Sequence, residues 1–104
     1  MNRQSTGGTG YDVVVIGAGA AGCIAAGRAA ENGASVCLLE RNERPARKVG
    51  ISGKGRCNLT NNCPPDEFLN FVRSGSKFLR SAIYRFPPEY VMGFFEGLGV
   101  PLIL

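Results

Sequence analysis

Apolar positions change their spacing along the chain, and the changes divide it. Tyr11-Asp12-Val13-Val14-Val15-Ile16 is a short β-branched run without alternation, the pattern of a parallel strand buried on both faces. Gly17 ends it. Ala20 to Asn32 is rich in alanine, and Asn32-Gly33 reads as a helix C-terminus. Ala34-Ser35-Val36-Cys37-Leu38-Leu39 is a second run of buried-strand type, closed by Glu40. Arg41 to Cys63 keeps neither period and predicts a loop with at most a short helical turn.

Beyond Pro64-Pro65 the spacing becomes helical. Asp66 is placed to cap a helix carrying Phe68, Leu69, Phe71 and Val72, which Ser74-Gly75 breaks. A second helix runs from a Ser76 cap, with Phe78, Leu79, Ala82, Ile83 and Phe86 recurring on it. Pro87-Pro88 opens a third, with Tyr90, Val91, Phe94, Phe95 and Leu98 on one side and Gly97 or Gly99 as its stop. These aromatic side chains are expected in core packing, not as platforms for stacked bases. Met1 to Gly10 is polar and Gly/Ser/Thr-rich, so a disordered lead is expected there.

Strand, glycine turn, helix, strand and acid make a βαβ unit. Gly17-Ala18-Gly19-Ala20-Ala21-Gly22 falls at the strand-to-helix junction, where a dinucleotide fingerprint must lie. Gly17 permits the tight turn, Gly19 lets backbone approach a pyrophosphate, and Gly22 allows helix and strand to pack closely. The helix N-terminus offers free N–H groups and partial positive charge to phosphates. Glu40 ends the second strand eighteen residues after Gly22, near the usual spacing of about 20, where its carboxylate can accept from a ribose 2′-OH.

FAD and NAD share the ADP half that this fingerprint reads. The chain beyond Glu40 separates them: a nicotinamide domain ordinarily continues into another βα unit, whereas here Lys48, Lys54 and Arg56 alternate with Gly50, Gly53 and Gly55. Such a loop suits an extended cofactor, and cations with backbone N–H donors stabilise an anionic reduced flavin.

Composition narrows the chemistry. The 104 residues contain no histidine, which removes imidazole bases, Ser-His and Cys-His pairs and His-ligated zinc within this chain. A bound cofactor is then the expected source of any chemistry. The net charge of +4 is concentrated in Arg41, Arg44, Arg47, Lys48, Lys54 and Arg56, and a nucleic-acid role for that loop is the weaker reading. Cys23, Cys37, Cys57 and Cys63 form no C-x-x-C pair, so no metal site is expected. Cys23 and Cys37 are read as small core residues. No secretory signal is seen, so reduced thiols in a cytoplasmic protein are expected. Val13 to Gly27 is uncharged but only fifteen residues long, short of the roughly 20 that cross a bilayer.

Four stretches together carry a family likeness: GAGAAG, VCLLE, RKVGISGKGRCNLTN and KFLRSAIYRFPPEYVMGFFEGLGVPL. From about Tyr11 to Leu102 the chain resembles the HI0933-like (BaiN-like) family of bacterial FAD-dependent oxidoreductases. The resemblance implies a Rossmann-like two-dinucleotide-domain flavoprotein, with NAD(P)H a candidate electron donor. It implies that Gly17, Gly19 and Gly22 contact the FAD pyrophosphate, with Ala18, Ala20 and Ala21 in the same turn. Glu40 would bind the adenosine ribose and Arg41 would lie by the adenine. Lys48 and the loop Ser52, Gly53, Gly55, Arg56, Cys57 and Asn58 would approach the ribityl chain and flavin. One departure stands out: the family usually has glycine where this chain has Lys54.

The expected fold is therefore α/β: the N-terminal βαβ unit of a Rossmann-like FAD-binding domain, then a glycine-rich basic loop and a helical segment. Residues 11–104 are read as the N-terminal part of that domain, because family members are several times longer. The expected function is the FAD-binding portion of a flavin-dependent oxidoreductase acting on a small organic substrate, without nucleic-acid or membrane partners. Two alternatives stand beside it: a non-catalytic remnant, and a plain NAD-binding segment. Catalytic residues, substrate and oligomeric state are left open.

Overall fold

A computed structural model describes residues 10–104, so the expected disordered lead, but for Gly10, lies outside the described residues. The described residues form two compact units, the first ending at Cys57 and the second opening at Asn58. In the first, β1 (Val13–Ile16), α1 (Ala20–Glu31) and β2 (Val36–Leu39) succeed one another. The strands pair in parallel, Val13 opposite Val36 and Ile16 opposite Leu39. Asp12 fixes the start of this register. Its N–H donates to the Ser35 carbonyl at 2.9 Å, and its Oδ2 accepts from Ser35 N–H at 2.8 Å. At the far end of α1 the Asn32 side chain donates to the Arg28 carbonyl at 2.8 Å, and Gly33 takes φ 90° to turn the chain back.

The expectation that both strand faces are buried is corrected. Val13 and Val15 face α1 and are partly covered, whereas Val14 and Ile16 are 53% and 86% exposed on the other face. Among the described residues the sheet has two strands and α1 covers one of its faces. Cys23 and Cys37 are free and half-buried, not core residues in the strict sense.

The predicted loop after β2 holds α2 (Arg47–Ile51) and a 3-10 turn (Ser52–Gly55). Both contain or adjoin unusual backbone. Ala46 precedes α2 at φ 55°, and Gly53, Lys54 and Gly55 take φ 61°, 53° and 84° in succession. Three left-handed residues in a row are glycine's ordinary territory, and a Cβ there costs roughly 1–2 kcal/mol. This gives a physical reason for glycine at the position of Lys54. Lys54→Gly is expected to stabilise the first unit by about 0.5–1 kcal/mol, the strain relief being partly offset by glycine's greater freedom in the unfolded chain. A denaturant midpoint that rises for Lys54→Gly checks it, and an unchanged or lower midpoint would show that Lys54 is not strained.

The second unit contains α3 (Pro65–Asn70), α4 (Ser76–Arg85) and α5 (Pro88–Gly97). The expected caps are corrected. Pro64 caps α3 with Pro65 at its first position, so Asp66 sits inside the first turn; Gly75, at φ 82°, caps α4 in place of Ser76. Asp66 instead accepts a hydrogen bond from the Tyr84 hydroxyl, joining α3 to α4. Leu69 is buried. Phe86, Phe94 and Phe95 meet edge to face, with centroids 6.0 Å and 5.2 Å apart. The wider expectation of aromatic core packing fails, since Phe78 is 87% and Phe71 64% exposed. Helical periodicity reports which face is apolar, not whether a partner covers it. Among the described residues no helix is long and apolar enough to cross a membrane.

Candidate functional site

The site is the corner where β1 turns into α1. Gly17 stands at φ 96°, a conformation that disfavours any Cβ. Its N–H donates to the Leu39 carbonyl at 2.8 Å and carries the ladder one residue past β1. Gly22 is required for packing: a Cβ there would lie 1.8 Å from the Gly17 carbonyl oxygen. Gly19 differs from both. It caps α1 at φ −81°, ψ −168°, and nothing lies within 4 Å of where its Cβ would be. Among the described residues no contact and no backbone angle demands glycine at that position, as at Gly27, Gly50, Gly93 and Gly97.

Helix α1 starts without a side-chain cap and without an acid in its first turn. Cys23 N–H makes the first intrahelical bond, to the Gly19 carbonyl at 2.9 Å. The N–H groups of Gly19, Ala20, Ala21 and Gly22 precede that bond and have no acceptor within the helix. Those donors and the helix dipole suit an anion that approaches over the bare Cα of Gly19.

Glu40 is partly buried beside this corner. Its Oε1 accepts from Ala18 N–H at 2.9 Å, and its Oε2 accepts from Asn42 N–H at 2.8 Å. These bonds, Asn42's first and Ala18's second, hold its carboxyl below the ordinary value of 4.5, against an opposing effect of burial; the Arg41 charge adds a smaller pull. A depressed folded pKa supports the fold fully above the ordinary glutamate value, and that support is lost as pH falls through the folded value. The unfolding midpoint of the chain is therefore expected to drop on acidification below about pH 4.5. Glu40→Gln should flatten that part of the profile, and profiles of equal steepness would contradict the assignment.

Ile16, Gly17, Leu39, Glu40 and Arg41 line a cleft of about 390 Å³ at the carboxyl ends of both strands, the edge where open α/β sheets bind ligands. The loop beyond β2 returns to this corner, for Ala46 N–H donates to the Ala18 carbonyl at 2.6 Å. Arg47 Nη1 reaches Asn42 Oδ1 at 3.3 Å. Gly17 to Gly22, Glu40 and Arg41 are thus brought together. Lys48 is exposed on α2, and the hydrogen bonds of Ser52, Gly53 and Arg56 are local. Cys57 ends the first unit and is exposed, as is Asn58, which opens the second.

Sequence reasoning missed Asn42 and Ala46. Asn42 acts through its backbone as well as its side chain, and the left-handed Ala46 has no glycine to signal it. Among the described residues no cluster of three or more Cys, Asp or Glu is placed to hold a metal ion.

Comparison with known proteins agrees with this fold. The ribosomal RNA dihydrouridine synthase of Escherichia coli (strain K12) is 39% identical over 77 residues, 73% of this chain and 18% of that protein. The 3-dehydro-bile acid delta(4,6)-reductase of Clostridium scindens is 34% identical over 88 residues, 83% of this chain and 21% of that protein. The chain thus spans about a fifth of the length of these relatives. The family model of the HI0933-like protein Rossmann domain matches residues 11–104. With that match laid over a parallel βαβ corner, the chain belongs to the family of the HI0933-like protein Rossmann domain.

Proposed function

We propose that this chain is the FAD-binding portion of a flavin-dependent oxidoreductase, and that the corner at Gly17–Gly22 holds the pyrophosphate of FAD. The observation that carries this reading is Gly19. Gly17 is explained by its backbone angle and Gly22 by the Gly17 carbonyl, whereas Gly19 leaves open space beside the free amides at the uncapped start of α1. In this reading the amides of Gly19, Ala20 and Ala21 bind the phosphates, the free lone pairs of Glu40 accept from the ribose hydroxyls, and Arg41 borders the adenine. Lys48 and the Ser52–Asn58 loop, with its two cations, serve the ribityl and flavin side. FAD supplies hydride transfer when bound; the chain supplies position and charge.

The names of the relatives narrow the reaction. Forming dihydrouridine and reducing a delta(4,6) bile acid both mean adding hydrogen across a carbon–carbon double bond. We extend that direction to this protein: a nicotinamide nucleotide as electron donor, hydride delivered to a double bond that a neighbouring carbonyl makes electron-poor, and a proton from solvent to the other carbon. The small organic substrate follows the bile acid reductase, whereas the other relative's name gives ribosomal RNA. Four free thiols fit a cytoplasmic setting. A second reading, a non-catalytic remnant that folds poorly alone and binds nothing tightly, is favoured by the exposed face of β1 at Val14 and Ile16.

The test is titration of the chain with FAD, read by flavin fluorescence anisotropy, with FMN as control. Saturable micromolar binding of FAD and none of FMN is expected, because FMN lacks the ADP half. Equal binding of both, or of neither, would defeat the proposal.

A further inference from the structure

A carboxylate that merely waited for a ribose would keep its oxygens free, and Glu40 does not. Its two oxygens accept from two separate backbone amides, Ala18 at 2.9 Å and Asn42 at 2.8 Å. Ala18 lies in the centre of the glycine turn, is 1% exposed, and has its carbonyl taken as well, by Ala46 N–H at 2.6 Å. Ala18 is thus held at both ends, by the tip of β2 on one side and by the returning loop on the other.

We propose that Glu40 is a positioning residue for the phosphate site: it fixes the glycine turn through Ala18, and the head of the basic loop through Asn42, before any nucleotide arrives. This role rests on the dinucleotide reading above and adds to the ribose contact, since each carboxylate oxygen keeps a lone pair for a hydroxyl. With Ala18 engaged inside the chain, the amides left for phosphate include those of Gly19, Ala20 and Ala21. Holding Ala18 sets where those three point. Asn42 in turn meets Arg47 at 3.3 Å, so the same carboxylate bears on where the first cation of α2 stands.

Glu40→Gln separates this role from ribose binding. A glutamine keeps the length but offers one acceptor and one N–H₂ donor, so one of the two amides must face a donor. Amide exchange of the ligand-free chain and affinity for two probes, inorganic pyrophosphate and ADP, are measured for both proteins. The expected result is exchange at least about tenfold faster at Ala18 or Asn42 with Ala29 and Ala30 unchanged, and several-fold weaker binding of pyrophosphate, which has no ribose. Unchanged exchange at Ala18 and Asn42, or pyrophosphate binding equal to wild type while ADP binding falls, would reduce Glu40 to a ribose contact and overturn the proposal. A wild-type chain that binds neither probe would instead overturn the dinucleotide reading itself, and the positioning role with it.

Discussion

Gly22→Ala is expected to destabilise the first unit by about 3 kcal/mol, at the upper end of overpacking effects. The added methyl carbon would sit 1.8 Å from the Gly17 carbonyl oxygen and 3.0 Å from its carbon. Both atoms are backbone, so no side chain can swing aside. Either α1 lifts off β1, losing the cover on Val13 and Val15, or the turn opens and Gly17 N–H leaves the Leu39 carbonyl. About 3 kcal/mol is roughly a hundredfold in the folding equilibrium, a large share of what so small a unit commands. Urea unfolding monitored by circular dichroism would read it. A loss under about 1 kcal/mol would mean that helix and strand are not in this close contact.

Gly19→Val is expected to do the reverse, leaving the fold nearly intact and removing nucleotide binding. Open space and an ordinary extended backbone at Gly19 accept a branched side chain. The cost to stability is at most about 1 kcal/mol, for a poorer helix cap. The isopropyl group would stand over the free amides of Ala20 and Ala21, where a phosphate must come within about 3 Å. FAD affinity should fall at least about a hundredfold, the loss of two or more charge-assisted hydrogen bonds. The two variants form a contrast: on the proposed reading Gly22 serves the protein and Gly19 the ligand. A Gly19→Val chain that still binds FAD would show that no phosphate passes over that residue.

Much of the corner is legible in the sequence because its causes are local. A positive φ at Gly17, an acid at the end of β2 and the Asn32-Gly33 helix stop each depend on a few neighbouring residues. The strand runs announce a parallel pair, and the structure has one, but they also announce cover on both faces, which is absent from β1. Apolar composition states a need for burial, not its fulfilment, and Ile16 shows the gap. Phe71 and Phe78 repeat that lesson on helices. The starts of α3 and α4 are legible to within two residues, yet their caps are not. Pro64 and Gly75 set the entry by backbone angle alone, without the side-chain bonds that Asp66 and Ser76 advertise. Within the site, the contact of Ala46 with Ala18 joins distant parts of the chain through main-chain atoms, and no side-chain pattern encodes such a bond. Lys54 is visible as a departure from glycine, and its left-handed backbone explains why the departure is strained.

The central claim is that the glycine corner binds the ADP half of FAD. The most direct measurement is competition: the wild-type chain saturated with FAD, then titrated with ADP while flavin anisotropy is recorded. The account predicts complete displacement of FAD by ADP and no displacement by riboflavin. FAD that stays bound under excess ADP, or that riboflavin removes, would contradict it.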